Sequence, residues 1–174
     1  MPTVRASEPL DLPAITAIYR HHVLHGTGTF EIEPPTLADM SARRQDVLSK
    51  NLPWLVAESA DGSILGYAYA NWFKPRPAFR FSAEDSIYIA DAARGQGIGK
   101  ALLHALCNEC EAVGVRKLIA VIGDSANTGS IALHHGAGFS HAGTLSSVGW
   151  KFDRWLDVVM MEKSLGAGDR SSPE

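Results

Sequence analysis

The spacing of apolar positions along the chain predicts helices and strands. Apolar side chains recur every three or four residues after Asp11 and again after Gly97, the period of a helix with one buried face. Shorter apolar runs, bounded by Gly, Pro and Asp, are typical of strands. The predicted helices begin after Asp11 and after Thr36, with Asp39 as a capping-box partner, and cover 98–113 and 127–136. The predicted strands cover 3–6, 54–58, 64–72, 86–90, 117–122, 143–148 and 154–161, and 30–36 is predicted as a loop or short strand.

The order of these elements predicts a mixed sheet. Early strands are joined by hairpins, such as the pair 54–58 and 64–72, whereas later strands are joined by helical crossovers. We therefore expect an α+β (mixed α/β) fold, a twisted mixed sheet of about six or seven strands flanked by about four helices. Residues 1–165 are expected to form a single domain, and the polar segment 166–174 is expected to be a disordered tail.

Composition narrows the classes of function. The 174 residues carry a net charge of −3, which argues against a nucleic-acid-binding protein, because such proteins normally have a basic excess on the binding face. No apolar run approaches the roughly 18 residues of a membrane span, and the N-terminus lacks a basic-then-apolar secretion pattern. Two cysteines are too few for a disulfide framework. We expect a cytoplasmic protein with no nucleic-acid or membrane partner.

The segment RGQGIGK, residues 94–100, joins a predicted strand to a predicted helix. A helix N-terminus attracts phosphate, and glycines let an oxygen approach the backbone closely. Two familiar phosphate loops do not fit: Lys100 occupies the last glycine position of G-x-G-x-x-G, and Ala101 occupies the Ser/Thr position of G-x-x-x-x-G-K-[ST]. The remaining pattern is R-x-x-G-x-G, a candidate pyrophosphate cradle whose alternative is a flexible turn.

This pattern, after SIYIADAA and before an amphipathic helix, resembles the acetyl-CoA loop of the GNAT N-acetyltransferase superfamily. The segments TFEIEPPT, PWLVAE, GYAYA, the loop with Lys74 and Arg76, SAEDSIYI, LIAVIG and GWKFDRWLDV are similar, in this order, to its phosphinothricin and methionine sulfoximine acetyltransferase branch. The resemblance covers nearly the whole chain. It implies the GNAT fold and an N-acetyltransferase with acetyl-CoA as co-substrate. It further implies a small amino-acid-like amine as acceptor: methionine sulfoximine, methionine sulfone or phosphinothricin.

The resemblance also implies which residues bind acetyl-CoA. The backbone of the strand before the loop would pair with the pantetheine arm, and the loop would bind the pyrophosphate. Asn127 matches a family position that touches the cofactor, and it is also a good helix N-cap; both roles are compatible. The implied set is Tyr88, Ile89, Ala90, Arg94, Gly95, Gln96, Gly97, Ile98, Gly99, Lys100, Asn127 and Ser130.

Acetyl transfer requires a neutral amine, and a free α-amino group has a pKa of about 7.7–8.0, so a base would help. Glu84 matches the glutamate of the family motif and is predicted to be the general base in a direct transfer; its alternative is a solvated loop carboxylate. His134 matches a family histidine near the acetyl group, and its alternative is a polar packing residue. Phe139 stands where many GNAT enzymes have a tyrosine acid, so the general acid is unassigned.

The loop KPRPAFRF, residues 74–81, is the candidate anchor for an anionic substrate group. Arg76 and Arg80 suit a carboxylate, sulfoximine or phosphinate through forked hydrogen bonds; the alternative is a solvent-facing loop. Lys151 and Phe152 resemble a family segment that reaches a neighbouring subunit's site, so a homodimer is expected. The implied substrate-binding set is Arg76, Arg80, Phe30, Glu31, Trp72, Asp85, Lys151 and Phe152.

Other functions stay open at this point. One is a GNAT enzyme that acts on protein N-termini or another amine; another is a non-catalytic acyl-CoA sensor, which would need no base at Glu84. Cys107 and Cys110 form a C-x-x-C in mid-helix without a second pair, which favours packing over zinc or redox chemistry. The histidines at 21, 22 and 25 lack an acidic partner in HEXXH register, so no metal is expected.

Overall fold

The computed structural model describes residues 2–173, and Met1 and Glu174, the outer ends of the predicted domain and tail, lie outside the described residues. Within that range there are seven strands and four α-helices. The strands are β1 (Thr3–Ala6), β2 (Trp54–Glu58), β3 (Ile64–Trp72), β4 (Ser82–Ile89), β5 (Lys117–Gly123), β6 (Ser140–Lys151) and β7 (Arg154–Ser164). The helices are α1 (Leu12–His25), α2 (Leu37–Ser49), α3 (Ile98–Ala112) and α4 (Thr128–Gly136).

The seven strands form one mixed sheet in the order β1-β2-β3-β4-β5-β7-β6. Only β4 and β5 pair in parallel, and the other neighbours are antiparallel. The parallel pair is joined through α3, as parallel strands require a crossover. The predicted α+β fold, a mixed sheet with four flanking helices, is therefore confirmed.

The two central strands separate halfway along their length. β4 pairs with β5 only over Ser82–Asp85, opposite Lys117–Ala120. Beyond these residues β4 stays on β3 up to Ile89, and β5 stays on β7 up to Gly123. The strands thus diverge and leave a cleft in the middle of the sheet.

β4 begins four residues earlier than the predicted start at 86, because it is paired on both sides: Glu84 lies opposite Asn71 of β3 and Ile119 of β5. Because the segment SAED is largely polar, the hydrophobic pattern did not predict that it belongs to the strand. The consequence is that Glu84 and Asp85 are strand residues. They were predicted just before the strand, and as neighbours inside it they point to opposite faces of the sheet.

The helices cover both faces of the sheet. Tyr88 of β4 packs edge-on against Tyr19 of α1, with ring centroids 4.9 Å apart, whereas Asp85 bonds to His134 of α4 at 2.9 Å. Because side chains alternate along a strand, Glu84 shares the α1 face with Tyr88, and Asp85 points to the α4 face. The cleft is therefore approached from two chemically different sides.

The segment after β7 turns back onto the body. The Gly168 amide donates to the Leu165 carbonyl at 2.9 Å, and Arg116 contacts the carbonyl of Gly168 and the hydroxyl of Ser171. The predicted disorder of 166–174 and the domain boundaries stay predictions. Among residues 2–173, no helix has the length and apolar character that a bilayer crossing demands.

Candidate active site

A cavity of about 900 Å³ fills the cleft where β4 and β5 diverge. Its walls come from the end of α1, the connection at 26–30, the outer half of β4, the segment 93–100, the end of β5 and the first turns of α4. One cavity thus joins the glycine segment to the predicted base.

The glycine segment places the N-terminus of α3 at the cavity. Gly95 and Gly97 adopt φ of +74° and +79°, the left-handed region that glycine alone enters without strain. No side chain caps the helix, which leaves its first N–H groups available to an oxygen ligand. Arg94 and Lys100 flank the segment and also line the cavity. This end of the cavity therefore fits a phosphate group.

The backbone of β4 presents hydrogen-bonding groups to the cleft at alternate residues. The Ala90 amide donates to Leu65 at 2.9 Å and its carbonyl accepts from Ala93, so both groups are engaged. By the alternation of an antiparallel ladder, the backbone of Tyr88 faces β3, while Ile87 and Ile89 face the cleft. Of the backbone groups predicted for the pantetheine arm, those of Ile89 face the cleft, whereas those of Tyr88 face β3 and those of Ala90 are engaged by neighbouring backbone; the predicted contacts with the arm stay predictions.

His22 of α1 holds the carbonyl at this point. Its Nε2 lies 2.9 Å from the Ile89 oxygen, and since a carbonyl only accepts, Nε2 carries the proton. Burial, opposed in part by this hydrogen bond, lowers the pKa of His22 below its ordinary value of 6.5. Because His22 binds the carbonyl of Ile89, the amide N–H is the backbone group of this residue that a ligand in the cleft could reach.

Asn127 caps α4 and lines the cavity as well. Its side chain accepts from the Ser130 amide at 3.2 Å and donates to the Gly123 carbonyl at 3.0 Å. The N-cap role expected from the sequence is thus present in the structure. Asn127 also lines the cavity, so the exposed part of its side chain is placed where the proposed contact with the cofactor would be made.

Glu84 is a half-buried carboxylate on the α1 face of the cavity. Burial, and after it the neighbouring charge of Asp85, raise the pKa of Glu84 above its ordinary value of 4.5, while Lys74 opposes the shift. A carboxylate in this setting is a stronger base than one in water. The alternative of a solvated loop carboxylate does not describe this strand residue.

His134 and Asp85 form a buried pair beneath the cavity. Nε2 of His134 lies 2.9 Å from Oδ2 of Asp85, and Nδ1 lies 2.8 Å from the Ser130 carbonyl. Burial opposes a charge on His134, but the hydrogen bond and charge of Asp85, with the Ser130 carbonyl, outweigh it and raise the pKa of His134. Both ring nitrogens are thus engaged within the chain, and Phe139 packs edge-on against the ring at 5.1 Å.

This geometry bears on two predictions. Asp85, predicted to bind substrate, lines the cavity, but its Oδ2 is committed to His134; its Oδ1 is buried and has no partner among residues 2–173. His134 also lines the cavity, and its contacts are those of a satisfied packing residue. A catalytic role for His134 stays a prediction.

The structure brings some predicted residues to the cavity and leaves others elsewhere. Arg76 and Arg80 are exposed in the loop after β3, which lies outside the cleft, and Trp72 is exposed at the end of β3. The predicted residues that line the cavity are Phe30, Glu84, Asp85, Tyr88, Ile89, Arg94, Gly95, Gly97, Ile98, Gly99, Lys100, Asn127, Ser130 and His134. Those that do not are Ala90, Gln96, Arg76, Arg80, Glu31, Trp72, Lys151 and Phe152.

Three of the cavity residues that were not predicted as site residues carry side chains able to bind a ligand or a neighbouring group: Tyr19, His22 and Arg154. Tyr19 and His22 belong to the apolar stripe of α1, where the sequence suggested only a buried face. Arg154 enters from β7, with Nη2 3.1 Å from Oδ2 of Asp124. The sequence around Arg154 gives no sign that this residue lies beside the end of β5, because the pairing of β5 with β7 brings the two together.

Cys107 and Cys110 lie buried in α3, as the packing interpretation requires. Burial is the main cause that raises the pKa of both thiols, which keeps them protonated and unreactive. Within residues 2–173, no three His, Cys, Asp or Glu side chains converge in a way that could hold a metal ion.

Comparison with known proteins identifies the family. Residues 15–139 match the Acetyltransferase (GNAT) family. The chain is 55% identical to phosphinothricin N-acetyltransferase of Alcaligenes faecalis over 99% of its length and 87% of that protein, and 39% identical to L-methionine sulfoximine/L-methionine sulfone acetyltransferase of Pseudomonas aeruginosa PAO1 over 98% of each.

A solved structure supports the same assignment. The GNAT superfamily phosphinothricin acetyltransferase from Sinorhizobium meliloti, crystallised in complex with AcCoA, superimposes with a TM-score of 0.97 at 44% identity, covering 99% of this chain and 93% of that one. The chain therefore belongs to the GNAT acetyltransferase family, in the branch of phosphinothricin and methionine sulfoximine acetyltransferases, and is an acetyl-CoA-dependent N-acetyltransferase.

Proposed function

We propose that this enzyme acetylates the amino group of a small amino-acid-like substrate of the phosphinothricin, methionine sulfoximine and methionine sulfone class. The substrates of its relatives supply the class. The observation that carries the proposal is Glu84, a half-buried carboxylate with a raised pKa in the same cavity as the glycine segment. A base placed there serves an amine that arrives protonated.

The acetyl-CoA site is proposed at the α3 end of the cavity. The free N–H groups of the first turn of α3, with Arg94 and Lys100, suit the pyrophosphate. The cleft-facing backbone of Ile87 and the amide of Ile89 suit an extended arm added beside β4. When bound, acetyl-CoA supplies the acetyl thioester.

In the proposed direct transfer, Glu84 accepts a proton from the amine of the substrate. The amine nitrogen forms a bond to the acetyl carbon while the carbon–sulfur bond breaks, and the sulfur leaves with the bonding electrons. Of the two protons that the ammonium nitrogen loses, Glu84 accepts one, and the other reaches the thiolate through water. A backbone N–H of β4 at the cleft is the proposed donor to the carbonyl oxygen as it becomes negative.

A thiol-release assay tests the proposed function. Purified enzyme with acetyl-CoA is expected to turn over methionine sulfoximine, methionine sulfone or phosphinothricin, with kcat/KM at least tenfold above that for a peptide with a free N-terminal alanine. Higher kcat/KM on the peptide would favour an N-terminal acetyltransferase. Acetyl-CoA binding without release on any amine would favour a sensor and contradict the proposal.

We propose a homodimer formed through the outer hairpin of the sheet. β6 is an edge strand, and together with β7 and the turn between them it exposes five large apolar side chains. Trp150 and Trp155 are 53% and 60% exposed and pack edge-on against each other at 5.2 Å. A large apolar patch at a sheet edge is typical of a surface covered in the assembly. The five residues are Leu145, Val148, Trp150, Phe152 and Trp155.

Sedimentation velocity at micromolar concentration tests the dimer. The wild type is expected to sediment at twice the chain mass, and Trp150→Glu with Trp155→Glu at the chain mass, because two buried charges would oppose association. Leu10→Glu, at an 88% exposed apolar residue just after β1, the opposite edge strand of the sheet, is the control and should leave the dimer intact. A monomeric wild type would contradict the proposal.

A further inference from the structure

Lys151 is a buried lysine that binds backbone carbonyls. It is 4% exposed, and its Nζ donates to the carbonyls of Gly26 and Thr29, each at 2.8 Å. Burial is the main cause that lowers the pKa of Lys151, and the charge of Glu31 opposes it in part. Burying an ammonium group is costly unless its donors are satisfied. The burial of Lys151 therefore suggests a specific structural role, and the two carbonyls that it binds indicate what that role is.

Both carbonyls belong to the connection between α1 and α2. Residues 26–30 contain no regular structure, yet every one of them lines the cavity. The Tyr19 hydroxyl bonds to Oγ1 of Thr29 at 2.8 Å and to Glu31 at 2.9 Å, and Arg43 binds Glu31 at 2.6 Å. The connection is thus held by Tyr19 of α1, by Arg43 of α2 and, on its β6 side, by Lys151.

Phe30 is seated on two glycines. A Cβ added to Gly123, at the end of β5, would lie 2.7 Å from the Phe30 ring, and a Cβ added to Gly149 of β6 would overlap the ring. Both strands therefore bring bare backbone against this side chain. Lys151 lies two residues beyond Gly149, so β6 supplies both a backbone surface against which the Phe30 ring packs and the cation that binds the loop.

The loop lies on the α1 face of the cavity. It leaves α1 close to His22, which binds β4, and reaches Gly123 on β5, so it spans the cleft on the α1 face. Glu84 is on that same face, whereas Asp85 and the α4 pair are on the other. The wall formed by 26–30 thus borders the face of the cleft that carries Glu84, and at Gly28 it also approaches the side chain of Asn127.

We infer that Lys151 is a positioning residue for the amine substrate, which acts by holding the Phe30 loop in place over the base side of the cleft. This inference rests on the proposed function. It replaces the expectation that Lys151 reaches a neighbouring subunit, because its Nζ is bound within its own chain.

Lys151→Met tests this role, because methionine keeps the length and apolar stem but removes the donors. The KM for the amine is expected to rise about tenfold or more, with the KM for acetyl-CoA changed less than about twofold, since charge-assisted hydrogen bonds are among the stronger ones in proteins. Gly149→Ala, which displaces the ring without touching Lys151, should shift the same parameter. Lys163→Met is the control, because Lys163 Nζ also donates to a carbonyl, that of Ala137, away from the loop.

Amide hydrogen exchange gives a readout that needs no turnover. Exchange at 26–31 should accelerate about tenfold or more in Lys151→Met and stay unchanged in Lys163→Met. Unchanged exchange would overturn the inference whether or not the enzyme is active on the panel. Faster exchange with an unchanged KM for the amine would overturn the positioning role and leave the proposed function intact. A wild type inactive on every small amine would instead refute the proposed function, while exchange still tests the loop.

Discussion

Replacing Glu84 by glutamine is expected to lower kcat by about 100-fold or more while leaving the KM for acetyl-CoA unchanged. The amide keeps the shape of the side chain but cannot accept the amine proton, and general-base catalysis contributes about 10²–10⁴-fold in typical enzymes. Glu84 lines the cavity from the α1 face, outside the segment proposed for the pyrophosphate, so cofactor binding should not depend on its charge. Steady-state kinetics with each substrate varied in turn measures both quantities.

The pH profile distinguishes a base from a merely polar wall. Burial raises the pKa of Glu84, so the active, ionised form is lost as pH falls through this raised value, above the ordinary 4.5. Wild-type kcat should therefore rise with pH across that range, and the rise should disappear in Glu84→Gln. Glu33→Gln, at an exposed glutamate outside the cavity, is the matched control. An unchanged kcat and profile in Glu84→Gln would exclude Glu84 as the base.

Replacing Asp85 by leucine is expected to destabilise the fold by about 3–5 kcal/mol at pH 6, because it leaves His134 buried without its anion. The two side chains are 1% and 2% exposed, so water cannot compensate for the lost partner. Urea unfolding measures the change. Glu162→Gln is the control: it removes the exposed ion pair with Lys117 and should cost less than about 1 kcal/mol.

The double variant and the pH dependence make this prediction specific to the pair. Asp85→Leu with His134→Leu should recover most of the loss, because apolar residues often replace a buried ion pair at little cost. The folded-state pKa of His134 is raised, so its contribution to stability is complete below the unfolded pKa of about 6.5 and is lost as pH rises through the folded value. Additive single losses, or a flat wild-type pH dependence, would contradict a coupled pair.

The extent of the sequence prediction can be judged from particular residues. The capping box of Thr36 and Asp39 formed as predicted, with the Asp39 amide donating to Thr36 Oγ1 and the Thr36 amide donating to Asp39 Oδ2. The glycine segment also took its predicted place at the start of α3. These features depend on residues within a few positions of each other, and the hydrophobic period and cap chemistry of such a stretch are visible in one sequence.

Residues whose environment comes from distant segments were harder to place. Asp11 was a candidate cap, but its carboxylate is bound by Arg5 at 2.8 Å, a contact that β1 creates. Arg76 and Arg80 were candidate anchors, yet their loop lies outside the cleft, while Arg154 enters it from β7. A loop composition indicates charge and stiffness, but only the packing of the sheet decides which cavity a side chain faces.

By itself, the sequence determined the order of elements, the position of the glycine segment before α3 and the membership of the GNAT family, because all three are recorded in local patterns and their spacing. Only the tertiary structure decided that β4 and β5 part after Asp85, that Glu84 and Asp85 face opposite sides, and that Lys151 holds the loop at 26–30. The physical reason is that these facts depend on strand register and on contacts between residues far apart in the chain, where a shift of one residue reverses the face of every side chain.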